Sequence, residues 1–132
     1  MRYLILTFTL CFSLSAWAQT VTPMGNIQPE GDYENVSVKK LTSDARSTSF
    51  VIWVKQGVKA HYHEEHSETI YVIEGTAEMT MGDQTFTIKA GDYIHIPKGT
   101  VQSVKVTSPT PIKVLSVQAP EFLGKDRIFV NQ

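Results

Sequence analysis

Three histidines within six residues, His61-Tyr62-His63-Glu64-Glu65-His66, followed by Glu68, carry the side chains best suited to chemistry in this chain of 132 residues. Residues i and i+2 of a β-strand face the same side, so His61 and His63 aim two imidazoles at one point. Glu68 opens a β-branched and aromatic run, Thr69-Ile70-Tyr71-Val72-Ile73. A short turn after His63 is expected to bring it back beside the pair on an antiparallel partner strand. Two histidines and one carboxylate suit a divalent non-haem metal with open coordination positions. The competing reading is a surface His/Glu patch that only solvates a loop. His66, in the turn, reads as solvent-facing, and as a substitute ligand only if the turn folds inward. His95 reads either as a pocket-facing group able to move protons near neutral pH or as a packed or exposed strand residue. Tyr62, Glu64 and Glu65 read as rim or surface.

The elements that would position these groups are short strands. Runs rich in Val, Ile, Thr, Phe and Tyr recur about every 8–12 residues, the signature of an antiparallel sandwich or barrel. They are Val36–Leu41, Thr48–Lys55, Ala60–His63, Glu68–Glu74, Ala77–Met81, Gln84–Ile88, Tyr93–Ile96, Val101–Val106 and Ile112–Val117. Glu74-Gly75 and Gly82-Asp83 read as tight turns, and Ser108-Pro109-Thr110-Pro111 must be a loop. Alternation puts Glu68, Ile70 and Val72 on the face of His61 and His63, with Ala77, Met79 and Met81 as further lining or simply as core. By the same parity Phe50 and Trp53 lie on opposite faces, so no more than one lines a pocket.

At these residues the chain resembles the cupin superfamily, in its small single-domain form. His61-x-His63-x4-Glu68-x6-Gly75 is similar to the family's first motif and Gly91-x5-Pro97-x-Gly99 to its second. Gly57 lies closer to the histidine pair than the family's motif glycine, so the strand entry there is expected to differ. The resemblance implies an all-β fold, a double-stranded β-helix or jelly-roll barrel with a metal near one end. It makes His61, His63 and Glu68 three of four ligands. The family's usual fourth ligand, a histidine three residues after the second-motif glycine, is Gln102 here. An amide oxygen is a neutral, weaker donor than imidazole. Gln102 therefore reads as a loose fourth ligand, as a residue that hydrogen-bonds a metal-bound water or substrate, or as a sign that metal binding has decayed. Fe, Mn, Ni, Zn and Cu all suit nitrogen and oxygen ligands. The family includes dioxygenases, isomerases, lyases, seed-storage proteins and sensor domains. The resemblance thus implies a divalent metal and a small molecule in the barrel, serving either a metal-dependent oxygenase, isomerase or lyase or a non-catalytic ligand-binding module.

Composition bounds the rest. Arg2, the apolar run Leu4–Leu14 and Ser15-Ala16-Trp17-Ala18 read as a removable export signal over residues 1–18. Eleven apolar residues fall short of the roughly 20 needed to span a bilayer. The expectation is an exported protein, periplasmic or secreted, with no membrane contact after cleavage. The only cysteine, Cys11, lies inside that run, so the remainder has no disulfide. Removing Arg2 and no acidic residue leaves 11 of the 12 basic residues against 13 acidic ones, and nothing in that balance calls for nucleic acid. Residues 19–35 read as an extended polar arm laid over the barrel or a neighbour, and 36–132 as the barrel domain. By analogy with small cupins, a homodimer through the sheets stays open.

Overall fold

The alternation from Val36 onward folds as ten strands in two five-stranded antiparallel sheets. They are β1 (Val36–Asp44), β2 (Ser47–Val54), β3 (Gly57–Tyr62), β4 (Ser67–Glu74), β5 (Thr76–Met81), β6 (Gln84–Lys89), β7 (Tyr93–Ile96), β8 (Gln102–Val106), β9 (Ile112–Ala119) and β10 (Ile128–Phe129). A computed structural model describes residues 21–130 of the chain; the segment read as an export signal lies outside them. One sheet runs β1-β2-β9-β4-β7 and the other β10-β3-β8-β5-β6. Strands consecutive in sequence thus alternate between sheets in the middle of the chain, and the two sheets face each other as a jelly-roll barrel. Among the described residues no helix is long and apolar enough to cross a membrane.

The nine expected strands are all present, with ends within a few residues. The turns differ in kind. Gly82-Asp83 closes a true hairpin, since Met81 pairs with Gln84. Glu74-Gly75 instead carries the chain from one sheet to the other. Gly75 has φ +85°, and a Cβ there would meet the Ile112 Cα at 2.8 Å and the Pro111 carbonyl oxygen at 2.9 Å, so only glycine fits this crossing. The turn at 64–66 is also a sheet crossing. Glu68 therefore does not sit on a hydrogen-bonded partner of β3, as alternation alone suggested, but across the barrel on β4. The reason is that β3 pairs β8 and β10, and β4 pairs β9 and β7.

A bulge in β3 sets the histidines. Val58 pairs with Val104 and His61 with Gln102, so two residues of β3 stand against one of β8. The extra residue moves His61 onto the same inward face as Val58, which strict period two would forbid. Gly57, at the strand entry, lies against the Val104 carbonyl with no room for a Cβ.

Val54, Ile70, Val72, Ala77, Met79, Ile88, Ile94 and Ile96 close the core between the sheets. Ala77 and Met79 belong to this core, as Met81 does at its edge. Phe50 faces inward, whereas Trp53 is buried on the outer face beneath Lys113, whose Nζ lies 5.8 Å from its ring centroid. The arm covers that face: Lys113 Nζ donates to the Gly25 carbonyl at 3.3 Å, and Lys55 Nζ to the Tyr33 carbonyl at 2.5 Å. The arm is laid on its own barrel.

Candidate metal centre

His61, His63, Glu68 and Gln102 converge at one end of the barrel, each no more than 6% exposed. They come from three places: the β3 end, the start of β4 and the start of β8. Each imidazole is held through its Nδ1. His61 Nδ1 donates to the Lys59 carbonyl of the bulge at 2.8 Å, and His63 Nδ1 to the Asp126 carbonyl at 2.7 Å. A carbonyl only accepts, so Nδ1 carries a proton in each ring, and in the neutral imidazole the Nε2 lone pair is free, as in most metal-bound histidines. His63 Nε2 is buried with no hydrogen-bond partner and lies 3.5 Å from Glu68 Oε2. Two buried atoms that close call for a positive charge, either a proton on Nε2 or a metal ion between them. Nitrogen and oxygen ligands bound at about 2.0–2.2 Å to one ion lie at about this separation. Burial drives the His61 pKa down, against the pull of its Lys59 hydrogen bond, which favours the neutral, ligating imidazole.

Glu68 is fixed by neutral donors. Ser116 Oγ donates to its Oε1 at 2.5 Å, Gln118 Nε2 to the same atom at 3.4 Å, and Gln102 Nε2 to Oε2 at 2.8 Å. Burial alone would raise the Glu68 pKa, but the His63 ring, which acts on it only when Nε2 carries a proton, the Ser116 hydroxyl and the Gln102 amide outweigh it and hold the pKa at about 2. The carboxylate is therefore charged and aimed at the histidines at any ordinary pH. Gln102 meets it as a donor. Ser116 and Gln118 had a readable signal: they follow Ile112 and Val114 at period two, polar side chains on the inward face of a core strand.

A second cluster, His63, His66 and Asp126, also brings ligand atoms within 4.8 Å of one another. Its atoms are already engaged. His66 Nδ1 bonds the Asp126 carboxylate and His66 Nε2 donates to the Glu121 carbonyl at 2.9 Å. Both partners accept, so His66 is held as the charged imidazolium. Its pKa is raised because these bonds outweigh burial. The Asp126 carboxylate also takes the backbone N–H groups of Glu64, Glu65 and His66 at 3.0–3.1 Å. Burial pushes its pKa up, but the His66 ring and, after it, these backbone donors win and lower it. This cluster clasps the C-terminal segment to the 64–66 crossing. His66 is thus neither solvent-facing nor aimed into the barrel. His95 is exposed on the outer face of β7 and takes no part. Asp126 carried no signal in the sequence, since its partners lie some sixty residues away.

From the metal end a cavity runs into the barrel, lined by His61, Glu68 and Gln102, by aliphatic side chains including Ile52, Val58 and Val104, and by Arg127. Its empty volume is about 590 Å³, part of it open to solvent.

Comparison with known proteins finds a match to the cupin domain over residues 49–118. An uncharacterized protein of Aquifex aeolicus is 33% identical over 102 residues, 77% of this chain and 84% of that protein. The quercetin 2,3-dioxygenase of Bacillus subtilis is 36% identical over 64 residues, 45% of this chain and 19% of the dioxygenase, which is a much longer protein. Among solved structures, an uncharacterized conserved protein of Klebsiella pneumoniae with a double-stranded β-helix domain superposes with a TM-score of 0.72 at 19% identity. That match covers 87% of this chain and all of the other.

Proposed function

Since the chain belongs to the cupin family, by a match over residues 49–118, we propose that it binds a divalent metal through His61, His63 and Glu68 and handles a small molecule in the adjoining cavity. The observation that carries this reading is His63 Nε2, buried, without a partner and 3.5 Å from the ionised Glu68. The residues present fit the ion: two imidazoles with their lone pairs turned inward and one carboxylate already deprotonated. Gln102 holds Glu68 through its Nε2, so it acts on a ligand rather than as the fourth imidazole of the family.

An ion held by His61, His63 and Glu68 would supply Lewis-acid chemistry, activating O2 or polarising a carbonyl or enolate substrate. The protein's part is to keep Glu68 oriented through Ser116, Gln118 and Gln102, and to exclude bulk water with the aliphatic wall. The reaction class that suits this division is oxygenase, isomerase or lyase. The second reading, a binding module without turnover, is favoured by one feature: Glu68 is the sole carboxylate of the cavity lining, and it is committed to the metal end, which leaves no second carboxylate for proton transfer. We place the mature protein outside the cytoplasm, on the strength of the charged, apolar and small-residue pattern of residues 1–18.

Metal analysis of protein purified without a histidine tag tests the proposal. The expected result is about one divalent ion per chain in the wild type and none in His61→Ala or His63→Ala. A wild type that takes up no stoichiometric metal under varied ion supply overturns it.

A further inference from the structure

The cavity lining contains one cation, Arg127, whose role neither the fold nor the metal ligands account for. It lies on the rim: the residue is exposed, yet it lines both the main cavity and a shallower pocket beside Phe50, Gln118 and Phe122. Among the described residues no carboxylate lies within ion-pairing distance of it, since none of the ion pairs includes Arg127. Glu68, the one acid in the cavity, is taken up by Ser116, Gln118 and Gln102.

Arg127 is also held in place. Its neighbour Asp126 is fixed by the backbone N–H groups of residues 64–66 and by the His66 ring. On its other side Ile128 pairs with Tyr62 in the sheet. A guanidinium on a backbone anchored at both sides loses less freedom on binding than one on a loose loop. Its planar fork matches a carboxylate in two parallel hydrogen bonds. Below it the walls are aliphatic: Val36, Ile52, Val54, Ile70, Ile112 and Val114.

We propose that Arg127 is the anion-recognising residue of the cavity, and that the ligand is a small carboxylate with a compact hydrocarbon body seated against the aliphatic wall. This rests on the cavity being a small-molecule site, but not on the metal. A charged rim with apolar walls selects both parts of such a molecule. A carboxylate without a hydrocarbon body loses the wall, and its neutral amide loses the guanidinium.

Calorimetric titration of chelator-treated, metal-free protein with 4-methylpentanoate, 4-methylpentanamide and acetate tests this. The wild type is expected to bind the branched carboxylate about tenfold or more tightly than its amide, the range of a charge-assisted hydrogen-bond pair, and more tightly than acetate. Arg127→Gln is expected to erase the preference over the amide, and Arg127→Lys to restore part of it. Arg127 is exposed, so unfolding midpoints equal to the wild type will show that the variants are folded. A preference that survives Arg127→Gln, or a wild type with no preference or no measurable binding, overturns the proposal. Because the protein is metal-free throughout, a failure of metal uptake leaves this result untouched, and a failure here leaves the metal analysis untouched.

Discussion

His63 stands between two histidine–carboxylate clusters that look alike in composition and differ in what their atoms have left to give. On one side His61, His63 and Glu68 face each other with the His63 Nε2 unbonded. On the other, His66 and Asp126 use both ring nitrogens and both carboxylate oxygens on each other and on the backbone. Proximity of ligating groups therefore does not make a metal site. What distinguishes the two is whether the lone pairs are free after the protein's own hydrogen bonds are counted. The first cluster keeps a ring nitrogen unbonded; the second is a clasp that holds residues 121–130 over the barrel end and supplies the Asp126 carbonyl that orients His63.

Breaking the clasp should give the largest effect. Asp126→Ala leaves His66 charged and buried without its partner and strands three backbone N–H groups, so it should destabilise the metal-free protein by about 3 kcal/mol or more, read as a shift in urea midpoint. Metal stoichiometry at low temperature should persist, because the His63 contact is to a backbone carbonyl. If Asp126→Ala is as stable as the wild type, the clasp is not structural.

His61→Ala tests the other cluster and should behave in the opposite way. Metal affinity should fall by about 100-fold or more, beyond the loss seen for residues that only support a ligand. The metal-free protein should lose only about 1 kcal/mol, the value of the single hydrogen bond to Lys59. Competition with a chromogenic chelator and urea unfolding measure the two quantities. A large loss of stability with unchanged affinity would exchange the roles assigned to the two clusters.

The carboxylates and His66 titrate in opposite directions. Glu68, held at about 2 against an ordinary 4.5, and Asp126, also lowered, contribute stability above the ordinary carboxylate range and lose it as pH falls through their folded values. His66, raised above 6.5, contributes fully below that value and loses its contribution as pH rises through the folded one. His61, lowered from 6.5 by burial, opposes His66: its contribution is present above 6.5 and is lost as pH falls through its folded value. Metal-free protein should thus lose stability as pH falls below the ordinary carboxylate range, while the balance of His61 against His66 sets the slope above it, as measured by urea midpoints across the range. His66→Gln should remove the alkaline decline that His66 contributes and weaken the acid-side contribution of Asp126, whose carboxylate the His66 ring holds down. An alkaline decline that persists unchanged in His66→Gln would contradict the clasp.

The smallest change is expected at Gln102. Gln102→His should tighten metal binding by about tenfold by restoring an imidazole to the ligand set, and should alter which ion is preferred. Gln102→Leu should cost the metal-free protein about 1 kcal/mol through the lost hydrogen bond to Glu68. If Gln102→His changes neither affinity nor ion preference, residue 102 does not reach the ion.

Much of the fold was legible because β-structure writes itself in short-range alternation. The strands, the Gly82-Asp83 hairpin and the Ser108–Pro111 loop all follow from local residue types. The inward set Ile112, Val114, Ser116 and Gln118 also keeps its period. Less was legible where the pattern slips: the β3 bulge shifts His61 by one residue, and a bulge leaves no fixed mark in sequence. The crossings at 64–66 and 74–75 look like hairpin turns, because a turn's residues set its local bend and not the sheet that the next strand joins.

The sequence by itself determined the run of strands and, through its family resemblance, the jelly-roll barrel and the candidate set His61, His63 and Glu68 with a glutamine in the fourth place, since each depends on residue type and near spacing. Only the tertiary structure decided that Glu68 meets the histidines across the barrel, that His66 is consumed by Asp126, and that Arg127 reaches the cavity rim. The His66–Asp126 bond alone joins residues sixty positions apart. Which donors stay free is settled only when all the hydrogen bonds of the folded chain compete for the same atoms.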